Sequence, residues 1–386
     1  MGVPALHGDW AGLVVFCAAT SWDGIRLPDQ HVAERLTRWV PVLYVDPPVS
    51  HATALRHPEL AASLRPPRLR LLAPGLARLT PLAPPGKGRP AVRPVSNALR
   101  VRAMRRAVRA LSGTVRAVVA ASLDPVYQAF PEARHVLYGT DDYVAGSRLM
   151  GVARHRLAAA EERQLRRSDV VVAISPVLAE RWRSMGYDVS LVPNGCDAAA
   201  FAAPGLAVPP VAVLDPPVAG FVGHLNARID LGYLEAVAGR GLSLLVVGPR
   251  VPGFQSARLE ALLARPNVHW VGAKPFADLP GYVAALDVGL VPYADTEFNR
   301  ASFPLKTLEY LAAGKPVVAT DLPSLRWVDS PHIALCTGYD DFAETAQRLA
   351  TTPAAPADVA ARRAVAAHHS WDDRAAEFAR LLGLRR

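Results

Sequence analysis

The sequence is poor in cysteine and almost without lysine. Its three cysteines, at 17, 196 and 336, show neither paired nor metal-like spacing, which excludes a disulfide scaffold and a cysteine-built zinc site. No apolar run near the start approaches the ~20 residues that span a bilayer. The longest, Leu13 to Ala19, reads as a buried strand, and no basic segment precedes it. A signal peptide is therefore not expected, and the expected address is the cytoplasm, within reach of the inner membrane face. Lysine occurs four times, at 87, 274, 306 and 315, so nearly all of the 43 basic residues are arginine. Where arginine is the default cation, a retained lysine carries information, and three of the four fall between 274 and 315.

What is present is a globular composition, 51% hydrophobic and 20% charged over 386 residues, enough for two domains. The net charge of +9 invites a nucleic-acid reading. No nucleic-acid module or aromatic–basic interleaving supports it, so nucleic acid is not an expected partner. The densest arginine run, Arg100 to Arg109, leaves one side of a helix basic. That side reads either as a solvated face or as an attraction to anionic lipid headgroups or an anionic acceptor.

Apolar runs alternate with amphipathic stretches. Strands are expected at 13–19, 41–45, 115–120, 135–138, 169–174 and 189–192. Helices are expected at 29–38, at 96–111 behind a Ser96 cap, at 148–167, and after a Ser175-Pro176 start. Residues 50–95 give no clear pattern. A Pro-rich, charge-poor stretch at 202–218 reads as a linker. Beyond it come strands at 218–222, 242–247, 268–271, 288–291, 316–319 and 333–335, and a last amphipathic helix at 371–382. Alternation of this kind predicts an α/β fold of two doubly wound parallel sheets, with ligands at the carboxyl ends of the strands. The expected division is 1–203, a linker at 204–218, a second domain at 219–365, and a C-terminal helix at 366–386 that crosses back.

The segment from Asn299 to Thr320 carries the most chemistry. Ser302-Phe303-Pro304 lead into a helix over 305–313, and a helix N-terminus after a short loop offers free amides and a positive dipole end to phosphate. Lys306 in its first turn can add a point charge, and Glu309, three residues on, can accept two hydrogen bonds from a vicinal diol. The same spacing also suits a plain surface ion pair.

These residues, with the stretches 267–293, 168–182, 191–197, 221–230 and 20–36, resemble the GT-B glycosyltransferases, family 4 and its relatives in particular. The resemblance implies two facing Rossmann-like domains, a deep cleft, and a C-terminal domain that holds a nucleoside diphosphate sugar. It matches Glu309 to the glutamate that holds the ribose, and Phe303, Pro304 and Leu305 (with Ser302 ahead of them) to the loop whose amides meet the distal phosphate. Gly223 matches the glycine near the phosphates, and Arg228 the approximate place of a basic residue that neutralises them. Ala273, Lys274 and Pro275 match the base pocket. His224, beside Gly223, is a further candidate for a phosphate or sugar contact.

Two departures stand out. The first acid of the family's pair falls at Ala301, and residues 229–233 hold no lysine, a charge that Lys306 would replace. In the N-terminal domain the acceptor is expected near Trp22, Asp23, His31 and Tyr143, with His31 equally an ordinary helix residue. Asp141 and Asp142 follow a strand. Either could take a proton from the acceptor hydroxyl or hold a sugar, or simply cap the next helix. Arg228 and Lys306 complete the catalytic candidates as stabilisers of the leaving diphosphate. The implied activity is metal-independent, hexosyltransferase-like transfer of a sugar to a hydroxyl acceptor, with retention and without a cofactor. The acceptor would be a specialised metabolite, a glycolipid or a bacterial cell-wall glycan. The rivals are a sugar-nucleotide epimerase or hydrolase on the same fold, and a non-catalytic sugar-nucleotide-binding or partner protein.

Overall fold

Runs of valine, leucine and alanine bounded by glycine and proline form parallel strands buried on both faces, as the composition of the runs requires. The computed structural model describes residues 8–384 except 25, 51, 53–54, 56–63, 87–88, 90, 204 and 211–213. Lys87 and part of the expected linker lie outside the described residues. The chain forms two units. The first runs to Ile174, takes in Leu178–Pro193 and ends with the segment from Arg374; the second comprises Ser175–Val177 and Asn194–Asp373. After Pro193 the chain returns to the second unit at Asn194, ahead of the Pro-rich stretch.

The first unit has an eight-stranded sheet in the order β3-β4-β2-β1-β5-β6-β7-β8. Its strands are β1 Leu13–Cys17, β2 Val42–Val45, β3 Leu69–Ala73, β4 Leu76–Leu79, β5 Val115–Ala120, β6 Arg134–Gly139, β7 Val170–Ala173 and β8 Ser190–Leu191. All pairings are parallel except the β3–β4 hairpin, which lies in the stretch whose pattern was unreadable. The order reverses at β1, between β2 and β5, so the loop after β1 opens at a switch point.

That loop is held by buried polar groups. Asp29, in the first turn of the helix Pro28–Leu36, accepts from the amides of Ala19 (2.7 Å) and Thr20 (3.3 Å). Asp46 accepts from the Trp22 amide (2.9 Å), from Thr80 Oγ1 (2.6 Å) and from Arg78 Nε (2.7 Å). Burial pushes the Asp29 carboxyl up to about 6, against the pull of those amides.

Three expectations for this unit are corrected. Ser96 is no cap, because Pro94 starts the helix Arg93–Ala110 a turn earlier and Ser96 Oγ donates to the Val92 carbonyl (3.1 Å). The long helix at 148–167 is two, Ser147–Met150 and Arg154–Leu165, because Gly151 turns left-handed (φ 62°) and ends the first. The arginine face at 100–109 is incomplete. Arg100 is buried and pairs with Asp124 (2.6 Å), and Arg105 donates to the carbonyls of Ala129 and Gln128.

The second unit has a fully parallel sheet in the order β11-β10-β9-β12-β13-β14. Its strands are β9 Val218–Val222, β10 Ser243–Val247, β11 Val268–Trp270, β12 Val288–Val291, β13 Val317–Thr320 and β14 Ile333–Cys336. The switch point lies between β9 and β12. The helix Leu305–Ala312 is seated there by Tyr310. Its ring fills the space over Gly289, where an added Cβ would come within 2.4 Å of it, and its hydroxyl accepts from the Val222 amide (2.8 Å) at the end of β9.

Two outcomes follow from these contacts. Tyr310→Phe leaves the buried Val222 amide without a partner and lowers unfolding free energy by about 1–3 kcal/mol, read from urea denaturation. An unchanged midpoint would show that the hydroxyl holds nothing. For Asp29 the folded value lies above the ordinary 3.8, so the native state favours the protonated form. Its contribution is full below about pH 4 and is lost as pH rises through 6, at up to roughly 1.4 kcal/mol per unit. Asp29→Asn therefore gains on the wild type between pH 4 and 6, and a stability gap that does not vary with pH would refute the assignment.

Candidate functional site

At the carboxyl ends of β9, β10 and β11 three glycines lie backbone to backbone. The Gly223 amide donates to Val247 O and the Gly248 amide to Gly272 O, both at 2.9 Å. Gly248 has φ +143° and a Cβ there would lie 1.9 Å from Gly223 O, so only glycine fits. The result is a floor of main chain that lets a ligand approach closely.

The loops that follow β9 and β12 are tied across the switch point. Asp230 N donates to Pro292 O and Ala294 N to Arg228 O, both at 2.9 Å. Arg228, half-buried, extends from this brace. Its guanidinium carbon lies 5.0 Å from the Tyr293 ring centre and 5.1 Å from that of Phe298, and its Nε donates to Asn299 Oδ1 (3.1 Å). Among the described residues no carboxylate pairs with Arg228. His224 is open to solvent on one side. Loss of surrounding water lowers its pKa from the ordinary imidazole value, with the charges of Lys306 and Arg228 adding to the effect. The three basic groups therefore share one field.

Lys306 stands in the first turn of the helix Leu305–Ala312, where Pro304 supplies no side-chain cap to the leading amides. Lys306 Nζ donates to Glu309 Oε2 (2.6 Å). Glu309 is only 2% exposed, so the spacing does make an ion pair, and it is not the surface pair that spacing alone suggests. Ser302 is buried and its hydroxyl caps the short helix Glu297–Ala301 by donating to Phe298 O (2.8 Å), so it is structural rather than open to a ligand. Phe303 and Pro304 are buried as well, which leaves their main chain as the usable part; Leu305 is half-buried. Ala301, at the place of the missing acid, is 1% exposed.

Of the base-pocket candidates, Ala273 and Pro275 are exposed, and Lys274 rests its ammonium 5.6 Å from the Tyr282 ring centre. Lys274 also lines a cavity of about 540 Å³ with Trp270, whose indole donates to Gly248 O (2.9 Å).

The first unit corrects most of its candidates. Asp142 is 2% exposed and caps a turn through the Ala145 amide (2.9 Å), while Arg181 bridges it to buried Glu161. The next helix, Ser147–Met150, begins at Gly146 without a side-chain cap, so Asp142 holds the turn ahead of it rather than capping it. Tyr143 donates its hydroxyl to Ala121 O (2.7 Å) and meets Thr140 Oγ1 (2.9 Å), which ties it to the end of β5. Trp22 stands edge-on to Tyr44, 4.8 Å between ring centres, and Asp23 pairs with buried Arg78 (2.7 Å). His31 is 1% exposed, an ordinary helix residue beside Arg35. Asp141 is half-buried just past β6, and its charge reaches Tyr138 and Tyr143.

Sequence reasoning missed Asn299, Tyr293, Phe298 and Trp270. Thr296, which caps the helix Glu297–Ala301 by accepting from Asn299 N (3.2 Å), was a readable signal for that helix. Nothing local marked Asn299 as a partner of Arg228.

Comparison with known proteins agrees with this geometry. Residues 216–352 match the model of the family described as glycosyl transferases group 1. Over 118 residues the chain is 36% identical to TuaH of Bacillus subtilis, whose name provisionally makes it a glycosyltransferase of teichuronic acid biosynthesis. That match takes in 30% of this chain and 30% of TuaH, under a third of the relative's length. Among solved structures, sucrose-phosphate synthase from Thermosynechococcus elongatus superposes with a TM-score of 0.73 at 17% identity, covering 96% of this chain and 98% of that one. HepE of Anabaena in complex with UDP and glucose superposes with a TM-score of 0.68 at 14% identity, covering 96% and 99%. Residues 216–352 thus match the group 1 glycosyl transferase model, and the chain has the two-sheet α/β fold of these solved structures.

Proposed function

We propose that the protein transfers a sugar from a nucleoside diphosphate sugar to a hydroxyl acceptor. The observation that carries this reading is the convergence of Arg228, Lys306 and His224 at the switch point of the second unit, beside uncapped helix amides and a glycine floor. A cation without a carboxylate partner next to free amides suits a diphosphate. HepE, which binds UDP and glucose, supports the donor class, and TuaH supports an acceptor in a cell-wall glycan.

In this reading the ribose hydroxyls displace Lys306 from Glu309. The freed ammonium turns to the diphosphate, and one ion pair is exchanged for two ligand contacts. The bond from the sugar's anomeric carbon to the diphosphate breaks, and the acceptor oxygen bonds to that carbon on the same face. The acceptor's proton passes to the departing diphosphate. Arg228, Lys306 and the amides of the helix Leu305–Ala312 take up the charge that develops on the leaving group. The proposal gives that role to no metal, so a rate abolished by a chelator would overturn this part.

A non-catalytic reading draws on Ala301, a buried alanine where the family carries an acid. The same residue, in the catalytic reading, points to a donor sugar with fewer hydroxyls, and Ala301→Glu should alter donor preference. An unchanged preference would count against that assignment.

The decisive measurement is the thermal shift of the protein with UDP, TDP, GDP and their sugars, repeated with Glu309→Gln. One nucleotide should raise the melting temperature, and the variant should bind it about ten- to a hundredfold more weakly, the worth of a charged hydrogen bond of ~1.5–3 kcal/mol. No shift with any nucleotide would leave the non-catalytic reading in possession.

A further inference from the structure

Arginine pays for its length with rotamer freedom, and a phosphate contact made by a loose guanidinium is weak. Arg228 is not loose. Its guanidinium carbon lies about 5 Å from the ring centres of both Tyr293 and Phe298, and its Nε, the one donor nearest the backbone, is taken by Asn299 Oδ1 at 3.1 Å. Neither Nη group has a hydrogen-bond partner among the described residues.

Asn299 is itself fully buried, at 0% exposure. Its Nδ2 donates to Arg228 O (2.7 Å) and to Ala294 O (2.8 Å), and its own amide donates to Thr296 Oγ1 (3.2 Å). Two carbonyls facing one end of the side chain require the amide nitrogen there, so the oxygen must face Arg228. An aspartate of the same shape would set a carboxylate against both carbonyls and would neutralise the guanidinium it holds. The neutral amide fixes the arginine and leaves its charge intact.

We infer that Asn299 is a positioning residue that aims Arg228 at the distal phosphate of a nucleotide, and that this pair sets the preference for diphosphates over monophosphates. The inference rests on the nucleotide site proposed above. Lys306 is held by Glu309 from within its own helix, whereas Arg228 is the cation whose hydrogen-bonding edge is left open.

The test compares the Kd of UDP with that of UMP (or the corresponding pair for the base that binds) by titration calorimetry. The proteins are the wild type, Asn299→Asp, Asn299→Ser, Arg228→Gln and the double variant Asn299→Ser with Arg228→Gln. The expected result is a diphosphate preference in the wild type that falls by about tenfold in each single variant, with monophosphate binding within about twofold of the wild type. The double variant should fall no further than Arg228→Gln, since Asn299 acts through Arg228. Asn299→Ser removes the acceptor without adding charge and serves if Asn299→Asp does not fold. Equal weakening of both nucleotides in folded Asn299 variants, an unchanged preference, or losses that multiply in the double variant would overturn the inference. Failure of the wild type to bind any nucleotide would instead remove the site on which the inference rests, and the inference with it.

Discussion

The second unit is organised around one phenol. Tyr310 sits at the heart of the sheet's switch point, its ring on Gly289 of β12 and its hydroxyl on the last amide of β9. The strand end that leads to Gly223 and the helix that carries Lys306 and Glu309 are therefore fixed to each other through a single side chain. Burial drives the Tyr310 pKa upward, so the hydroxyl keeps its proton and its geometry across the working range. A glycine in the strand and a tyrosine in the helix are mutually required: any side chain at 289 would displace the ring and, with it, the hydroxyl.

The two units treat charge in opposite ways. In the first, carboxylates serve the loops. Asp29 and Asp46 hold the turn after β1, Asp23 answers Arg78, and Asp142 shares Arg181 with Glu161. Buried ions arranged like this fix conformation more than they add stability, because desolvation offsets much of their attraction. In the second unit Lys306 pairs with Glu309, while Arg228 is held by the neutral side chain of Asn299. The unusual use of arginine across the sequence hides this difference, since most arginines are ordinary surface or structural residues.

How much could be read in advance depended on the range of the interactions. Strands such as Val115–Ala120 and Val288–Val291 are local runs of branched and small apolar residues, and their ends were legible to the residue. The helix behind Pro304 was legible to within one residue, since its signals lie within a few positions of one another. The i,i+3 spacing of Lys306 and Glu309 announced their pairing but not the depth of its burial, which depends on the strands packed beneath. Asn299 could not be read at all, because its partner Arg228 is 71 positions away. Asp142 looked like a catalytic carboxylate for the same reason: Arg181, 39 positions on, is what makes it structural. Gly151 was visible, but a helical pattern tolerates one glycine, and only its left-handed conformation ends the helix.

The crowding of His224 by Lys306 and Arg228 has an effect on proton balance. With two cations at hand and little water on one flank, the imidazole gives up its proton more readily than a free histidine. An anion seated among the three reverses the sign of the local field, and the imidazole regains affinity for the proton it had lost. Under the proposed function, ligand and proton would then arrive together. The heat of association would vary with the ionisation enthalpy of the buffer, and affinity would rise as the solution is made mildly acidic. Under the proposed function, the site would take up a proton as it fills, and the net charge it accumulates would be smaller than the charge of the ligand that enters.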